Sequence, residues 1–317
     1  MGATISWYPG EPVHCLCCYS WMAPAGNSHS SLSLSPLKDL LAMPPFFTII
    51  TSTYNAASTL PRLLDSLASQ TCRDFNWIVQ DGASSDATMR IVEQYRNHLP
   101  AIFADSGKDR GIYDAWNKAL ERWKNELGEW IVFLGADDKF HSKNTLENCY
   151  DKLNILPRDV SFGAGNIYII DSTNNTKKEI IVNLDDSFSC RFQGMSFPHS
   201  GLFQKKDILL STKFDTSFQI AGDYDFFLKV LQEKREIYPL NIFVTDMYSG
   251  GISSSPQNSL RLEHEIIEIV KKYRKQHKIY YYLAIKYKIK KFILTLPCGR
   301  KIWNFIKYIF QIAIHKI

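Results

Sequence analysis

Two adjacent carboxylates, Asp137 and Asp138, end the apolar run in the segment WIVFLGADD at 130–138. Side by side they repel each other unless something positive lies beside or between them. A divalent metal bound to a phosphate-bearing substrate is one resolution. A polar strand-to-loop turn, where Asp is common, is the other. Further carboxylates stand in comparable settings. Asp81 ends the apolar run FNWIV within QDGASSDAT, and Asp223 and Asp225 open a helical stretch in AGDYDFFLK. Acids at a helix N-terminus also suit the helix dipole, which is a purely structural account of them.

The elements that must carry these residues follow from hydrophobic pattern. Trp130, Ile131, Val132, Phe133 and Leu134 read as a buried parallel strand with helices on both faces. Gly135 and Ala136 add little bulk, so something can approach the backbone closely. The acid pair then sits at the carboxyl end of a strand, where open α/β sheets place their ligands. Upstream, strands over 46–51 and 75–79 and a weaker one over 101–103 alternate with helices. In the first helix Leu60, Leu63, Leu64 and Leu67 share a face, with Ser58 as candidate N-cap and Pro61 in the first turn. A second covers about 85–95, and a third starts at Ile112 with Ala115, Trp116, Ala119 and Trp123 on its apolar side. This alternation predicts an α/β fold with a doubly wound, mostly parallel sheet. No G-x-G-x-x-G or G-x-x-x-x-G-K-[ST] follows any strand, which excludes the usual dinucleotide-binding and P-loop arrangements. Later come a helix near 144–153, a hairpin of 160–170 with 178–184 through STNNT, and a helix over 222–231.

The chain has 317 residues, 45% of them hydrophobic, enough for one large domain or two modest ones. The net charge of +5 conceals an asymmetry: 13 of the 37 Lys and Arg fall at 271–317, where no Asp or Glu occurs. That leaves 24 basic against 32 acidic residues in the body, a sign that argues against nucleic acid as a partner. Seven cysteines, an odd number without a paired framework, suit a reducing compartment. The cluster HCLCC at 14–18 lacks a second ligand pair for a metal. Residues 1–44 are rich in Ser, Pro and Gly without periodicity and read as low-complexity or disordered, with no signal-peptide pattern. MGATIS matches the short myristoylation pattern at Gly2. No apolar run reaches the length of a membrane span. In the tail, Ile285, Ile289, Phe292, Ile293 and Leu296 form one apolar stripe, and Ile302, Phe305, Ile306, Ile309, Phe310 and Ala313 form another. Stripes set among lysines suit an anionic membrane surface; the alternative is two helices packed on the domain with their lysines solvated.

In order, TSTYN, QDGASSDAT, GKDRGIYDAWNKAL, FLGADD, PHSGLF and AGDYDFFLK resemble glycosyltransferase family 2, over about 45–251. The resemblance implies a GT-A fold and transfer of a sugar from a nucleotide donor with inversion at the anomeric carbon. It divides the chain into 1–44, a transferase domain at 45–256 (nucleotide half 45–140, acceptor half 141–256) and a basic helical tail at 257–317. By the same resemblance Thr51, Tyr54 and Asn55 would line the nucleotide pocket, and Asp81 would read the base with Asp86 beside it. Lys108, Asp109 and Gly111 would lie over the donor, with Asn117 nearby. Asp137 and Asp138 would hold Mg²⁺ or Mn²⁺. Gly135 departs from the family pattern, which has Asp there, so metal ligation would rest on the remaining pair with more water. Asp223 would be the catalytic base, with Asp225 as runner-up, and His199 would face the acceptor or the diphosphate.

The expected activity is therefore metal-dependent, inverting hexosyl transfer, with a UDP-sugar as donor. The acceptor would be a glycan or lipid-linked glycan of a surface polysaccharide (lipopolysaccharide O-antigen, capsule or exopolysaccharide). The expected location is cytoplasmic, peripheral on the inner face of the cell membrane through 278–317. Competing readings are a non-catalytic scaffold with the same fold, a sugar nucleotidyltransferase lacking its Gly-rich activating loop, and a dehydrogenase lacking its glycine fingerprint.

Overall fold

The computed structural model describes residues 44–183, 198–232, 236–251, 258–274, 278–296, 298–299, 301–304 and 306. The first half of its sheet is built from β1 (Phe47–Thr53), β2 (Phe75–Asp81), β3 (Ile102–Ser106) and β4 (Trp130–Phe133). They run in the order β3-β2-β1-β4, every neighbour parallel. The crossovers carry α1 (Leu60–Ala68), α2 (Thr88–Gln94) and α3 (Ile112–Arg122). All of β2 and β4 is buried, as the continuous apolar runs require of a sheet covered on both faces. Alternate residues serve opposite layers. Ile49, Trp77 and Val132 share a cluster with Leu60, Leu63, Leu64 and Leu67 of α1. Ile50, Ile78, Ile131 and Phe133 share the other with Tyr113, Trp116, Ala119 and Leu120 of α3. Each of the four α1 leucines is fully buried, worth roughly 1.5–3 kcal/mol apiece against exposure. That burial fixes where β1 ends, and the site begins there.

The chain continues through β5 (Lys139–Phe140), α4 (Thr145–Leu153), β6 (Val160–Asp171) and β7 (Thr176–Ile180). A 3₁₀ turn at His199–Gly201 leads into β8 (Leu202–Lys205), α5 (Lys206–Ser211), α6 (Gly222–Leu231) and β9 (Glu236–Tyr248). The sheet extends as β4-β8-β6-β9-β5, with β7 paired to β6. Here it turns mixed: β8 is antiparallel to both β4 and β6, while β9 is parallel to β6. Two helices follow, α7 (Ser259–Arg274) packed on α6 and α8 (Lys278–Thr295) packed on α7.

Several boundaries differ from the sequence reading, each for a local reason. β1 and β2 run two residues further, to Thr53 and Asp81, because their pairing continues to Thr53 against Asp81. The residue preceding α1 is Thr59, not Ser58, and its hydroxyl donates to the Ala56 carbonyl. α2 starts at Thr88 because the Asp86 carboxylate accepts both the N–H and the hydroxyl of Thr88. The β6–β7 hairpin turns through Asn175 at φ 50°, a left-handed conformation that Asn tolerates better than most residues. In α8, Ile293 is buried while Ile285, Ile289 and Phe292 face outward, as does Leu296 just beyond its end. Of the second tail stripe only Ile302 and Ile306 fall within the described residues. The N-terminal segment through residue 43, its HCLCC cluster and the boundary at 256 lie outside them. Among the described residues no helix is long and apolar enough to cross a membrane.

Candidate active site

A cavity of about 730 Å³ opens beyond the carboxyl ends of β1 and β4, between the N-termini of α3 and α6. That volume suits a small organic ligand. Its walls include Thr53 at the end of β1, Tyr54 and Asn55 just after it, Asp109 and Gly111 before α3, Asp137 after β4, and Asp223 from α6. Tyr54 stands at the mouth, 70% exposed. Asn55 sits at φ 49°, its amide oxygen accepting the Ser85 N–H at 3.0 Å and its own N–H donating to Ser84 Oγ at 2.8 Å. The Asp109 carboxylate accepts the Gly111 N–H at 2.9 Å, and Gly111 takes φ 117°, which side chains disfavour. A Cβ at Gly82 would lie 2.8 Å from Asp109 Oδ2 and 3.4 Å from the Tyr54 ring. Three chain segments thus converge on that wall.

At the end of β4, a Cβ built on Gly135 would meet Asp137 Oδ1 at 2.8 Å and Asp138 Oδ2 at 2.9 Å. The two acids therefore flank one small space that a side chain at 135 would fill. Asp138 is 5% exposed and accepts the Tyr248 N–H at 3.1 Å. Burial, reinforced by the neighbouring Asp137 charge, pushes its pKa up to about 7. Arg62 is the nearby cation. It donates to the Asp137 carbonyl oxygen at 2.7 Å and lies 3.5 Å over the Tyr248 ring. It reaches the backbone rather than the carboxylates, so their repulsion is only partly offset.

Asp223, in the same cavity lining, stands in the first turn of α6. Its Oδ1 accepts the Tyr224 N–H at 2.9 Å and lies 3.1 Å from the Tyr113 hydroxyl, which also sits 2.7 Å from the Ile220 carbonyl oxygen. A Cβ at Gly222 would fall 2.7 Å from the Tyr113 ring, so glycine lets α3 and α6 close up here. Burial, with the Glu265 charge adding to it, raises the Asp223 pKa to about 6 against its hydrogen bonds. Such a carboxylate is mostly ionised at neutral pH yet basic enough to accept a proton.

The model of glycosyl transferase family 2 matches residues 48–221, more than half of the chain. The chain belongs to this family. As a family 2 glycosyltransferase it is 27% identical over 216 residues to a PGL/p-HBAD biosynthesis glycosyltransferase of Mycobacterium bovis, spanning 67% of this chain and 80% of that protein. It is 36% identical over 108 residues to the poly(ribitol-phosphate) beta-N-acetylglucosaminyltransferase TarS of Staphylococcus aureus, 32% of this chain and 18% of that one. Its fold is the GT-A fold, like that of a TarS fragment in complex with UDP-GlcNAc: TM-score 0.54, 22% identity, 72% and 67% of the two chains covered. A mannosyltransferase from Pyrobaculum calidifontis in complex with GDP-Man and Mn²⁺ aligns with TM-score 0.54 and 19% identity over 78% and 70%.

Within this glycosyltransferase, Tyr54, Asn55, Asp109, Gly111, Asp137 and Asp223 share the cavity, and several residues singled out from the sequence do not reach its wall. Thr51 is fully buried inside β1, its hydroxyl accepting the Trp77 indole N–H at 3.0 Å; the strand's extra length hands its expected place to Thr53. Asp81 is fully buried and already satisfied by Thr53, Ser84 and Ser106. Burial alone raises its pKa, but those bonds outweigh it and hold the acid below its ordinary value. Asp86 ties the Ala57 and Thr88 amides together, and the Thr88 bonds lower its pKa. Lys108 is exposed and contributes its carbonyl to Lys118. Asn117 staples α3 to both backbone groups of Phe214. Asp225 is 2% exposed and bound by Lys272 Nζ at 2.9 Å and the Tyr273 hydroxyl at 3.1 Å. His199 stacks on Trp116 and Phe133 with Nε2 2.9 Å from the Gln204 amide, and burial depresses its pKa to about 3.

Three contributors went unread in the sequence: Arg62, Tyr113 and Glu265. Arg62 left the one usable signal, a cation in the first turn after a nucleotide-half strand.

Asp138 also makes stability depend on pH. Its folded-state pKa lies above the ordinary 3.8, so its contribution is full below about pH 4 and is lost as pH rises through about 7. Asp138→Asn keeps the acceptor for Tyr248 and removes the charge. Its unfolding free energy in urea should exceed that of the wild type at about pH 8 by roughly a few kcal/mol, and approach it near pH 4. Equal free energies at both pH values would contradict the buried charge.

Proposed function

We propose that this glycosyltransferase transfers a sugar, with inversion, from a nucleotide sugar to a hydroxyl of a glycan or lipid-linked glycan acceptor in surface polysaccharide synthesis. The observation that carries this reading is that Asp137 and Asp223 line one cavity together. The acid pair at Asp137 and Asp138 offers hard oxygen donors around an open space, which fits Mg²⁺ or Mn²⁺ with water and substrate phosphates completing the shell. Bound there, the ion would supply Lewis-acid compensation for charge on the leaving diphosphate. The nucleotide would lie along Thr53, Tyr54, Asn55, Asp109 and Gly111, with the exposed Tyr54 ring as an apolar surface for a base. A UDP-sugar is favoured because TarS binds UDP-GlcNAc in a similar fold.

Asp223 is assigned as the base. As the acceptor oxygen bonds to the anomeric carbon and the bond to the diphosphate breaks, the acceptor's proton passes to the Asp223 carboxylate. Attack from the face opposite the leaving group inverts the centre in one displacement. The ion pair of Asp225 with Lys272 favours Asp223 over it for that role. The Tyr113 hydroxyl orients the Asp223 carboxylate from α3. General-base catalysis of this kind is typically worth about 10²–10⁴-fold. Asp223→Asn should therefore lower transfer by about that factor while nucleotide binding stays at wild-type strength. In the wild type kcat should climb as pH rises through about 6, when the carboxylate ionises. An active Asp223→Asn enzyme would remove the assignment.

We also assign the outward side of α8 to an anionic membrane surface at the inner face of the cell membrane. Tyr281, Tyr282, Ile285, Ile289 and Phe292 are each about half exposed or more. At helical spacing they and Leu296 fall within an arc of about 100°, flanked by Lys286 and Lys288. The opposite side packs on α7, where Lys290 pairs with Glu263 at 2.7 Å. Ile285→Glu with Phe292→Glu should leave the melting temperature unchanged and abolish sedimentation with phosphatidylglycerol vesicles. Undiminished sedimentation would return this face to solvent.

A further inference from the structure

α6 begins without a capping side chain of its own: its N-cap residue, Ala221, has none to offer. The carboxylate that serves this end comes from α7. Glu265, 7% exposed, accepts the Gln219 N–H through Oε1 at 3.1 Å, and the Ile220 and Ala221 N–H groups through Oε2 at 2.9 Å each. Three consecutive amides thus converge on one buried side chain. Asp223 follows two residues later, and the Ile220 carbonyl in the same stretch meets the Tyr113 hydroxyl that also contacts Asp223. Two turns along the same face of α7, Lys272 grips the first turn of α6 through Asp225.

We propose that Glu265 is a positioning residue for transfer: by gathering the amides ahead of α6 it fixes the backbone from which Asp223 reaches the cavity. This rests on Asp223 being the base. A loop tied only by its own backbone could satisfy these amides with water. A buried acid from a distant helix instead holds them in one geometry, and it is favoured by the dipole of α6. An error of about 1 Å at a reacting group can cost on the order of 10²-fold in rate, so the clamp acts on kcat. It also acts through charge. Asp223 faces the Tyr113 hydroxyl from α3 and Glu265 from α7, with Arg261 3.4 Å from Glu265. Asp109 and Asp137 share its cavity, and Asp225, paired with Lys272, stands in the same helix turn. Neutralising Glu265 removes one negative charge from this set and makes Asp223 easier to ionise.

The test uses the full-length chain with Glu265→Gln, Glu265→Asp and Asp223→Asn. Nucleoside diphosphate release is followed with whichever of UDP-GlcNAc, UDP-glucose or GDP-mannose the wild type turns over, beside amide exchange of residues 219–221. Glu265→Gln should lower kcat by about 10–100-fold with donor KM unchanged, move the acid limb of the kcat–pH profile to lower pH, and speed exchange of the three amides. Glu265→Asp, shorter but still charged, should lose part of kcat and keep the limb in place; it carries the test if Glu265→Gln does not fold. Wild-type kcat in Glu265→Gln, or a fall in kcat with an unmoved limb and intact amide protection, overturns the clamp. An inert Asp223→Asn beside an unimpaired Glu265→Gln removes the clamp alone, whereas an active Asp223→Asn removes the base and the clamp with it.

Discussion

Negative charge with too few partners, held at the carboxyl end of a parallel sheet, is the constraint on which the rest of this glycosyltransferase depends. Asp138 is buried beside Asp137, and the guanidinium within reach, Arg62, is spent on a backbone carbonyl and a tyrosine ring. A buried charge in that position is destabilising unless something compensates it. The fold tolerates it because β1, β2 and β4 are rigid and buried on both sides, so the strand ends cannot relax away from each other. Gly135 keeps the space between the two acids open. On the proposed function, a cation carrying a diphosphate would complement that space.

The same reasoning sorts the other carboxylates. Asp81, Asp86 and Asp225 each hold several donors or a full ion pair, and each ties two segments together. Asp223 and Asp138 have fewer donors for their burial, and burial raises the pKa of both. Glu265 belongs with the first group by its three amides, yet those amides immediately precede Asp223. A structural carboxylate and the proposed base are thus joined through the backbone at the start of α6, and α7 becomes part of what holds the site.

Much of this was legible in the sequence, because the nucleotide half is written in continuous apolar runs. Trp130 to Phe133 could only be a covered strand, and the position of Asp137 and Asp138 followed from it. The helix over Gly222–Leu231 was equally plain. What sequence could not supply was how each polar side chain is satisfied. Thr51 and Thr53 look interchangeable until the strand is seen to continue to Thr53, which sends Thr51 into the interior. Asp223 and Asp225 are near neighbours in one helix turn, and only the packing of α7 separates them, by giving Asp225 to Lys272. Glu265 stayed hidden because its partners are backbone amides with no side-chain signature.

The central claim is that the acid pair and the cavity beside it form a metal-assisted nucleotide site. The most direct measurement is the melting temperature of the wild-type chain with UDP, GDP, dTDP or CDP, each with and without Mg²⁺ or Mn²⁺. A ligand that binds only the folded state must raise that temperature. The account predicts that one nucleotide stabilises the protein strongly, and only when the metal is present. Stabilisation by a nucleotide that is indifferent to metal, or no response to any of the four, would contradict it.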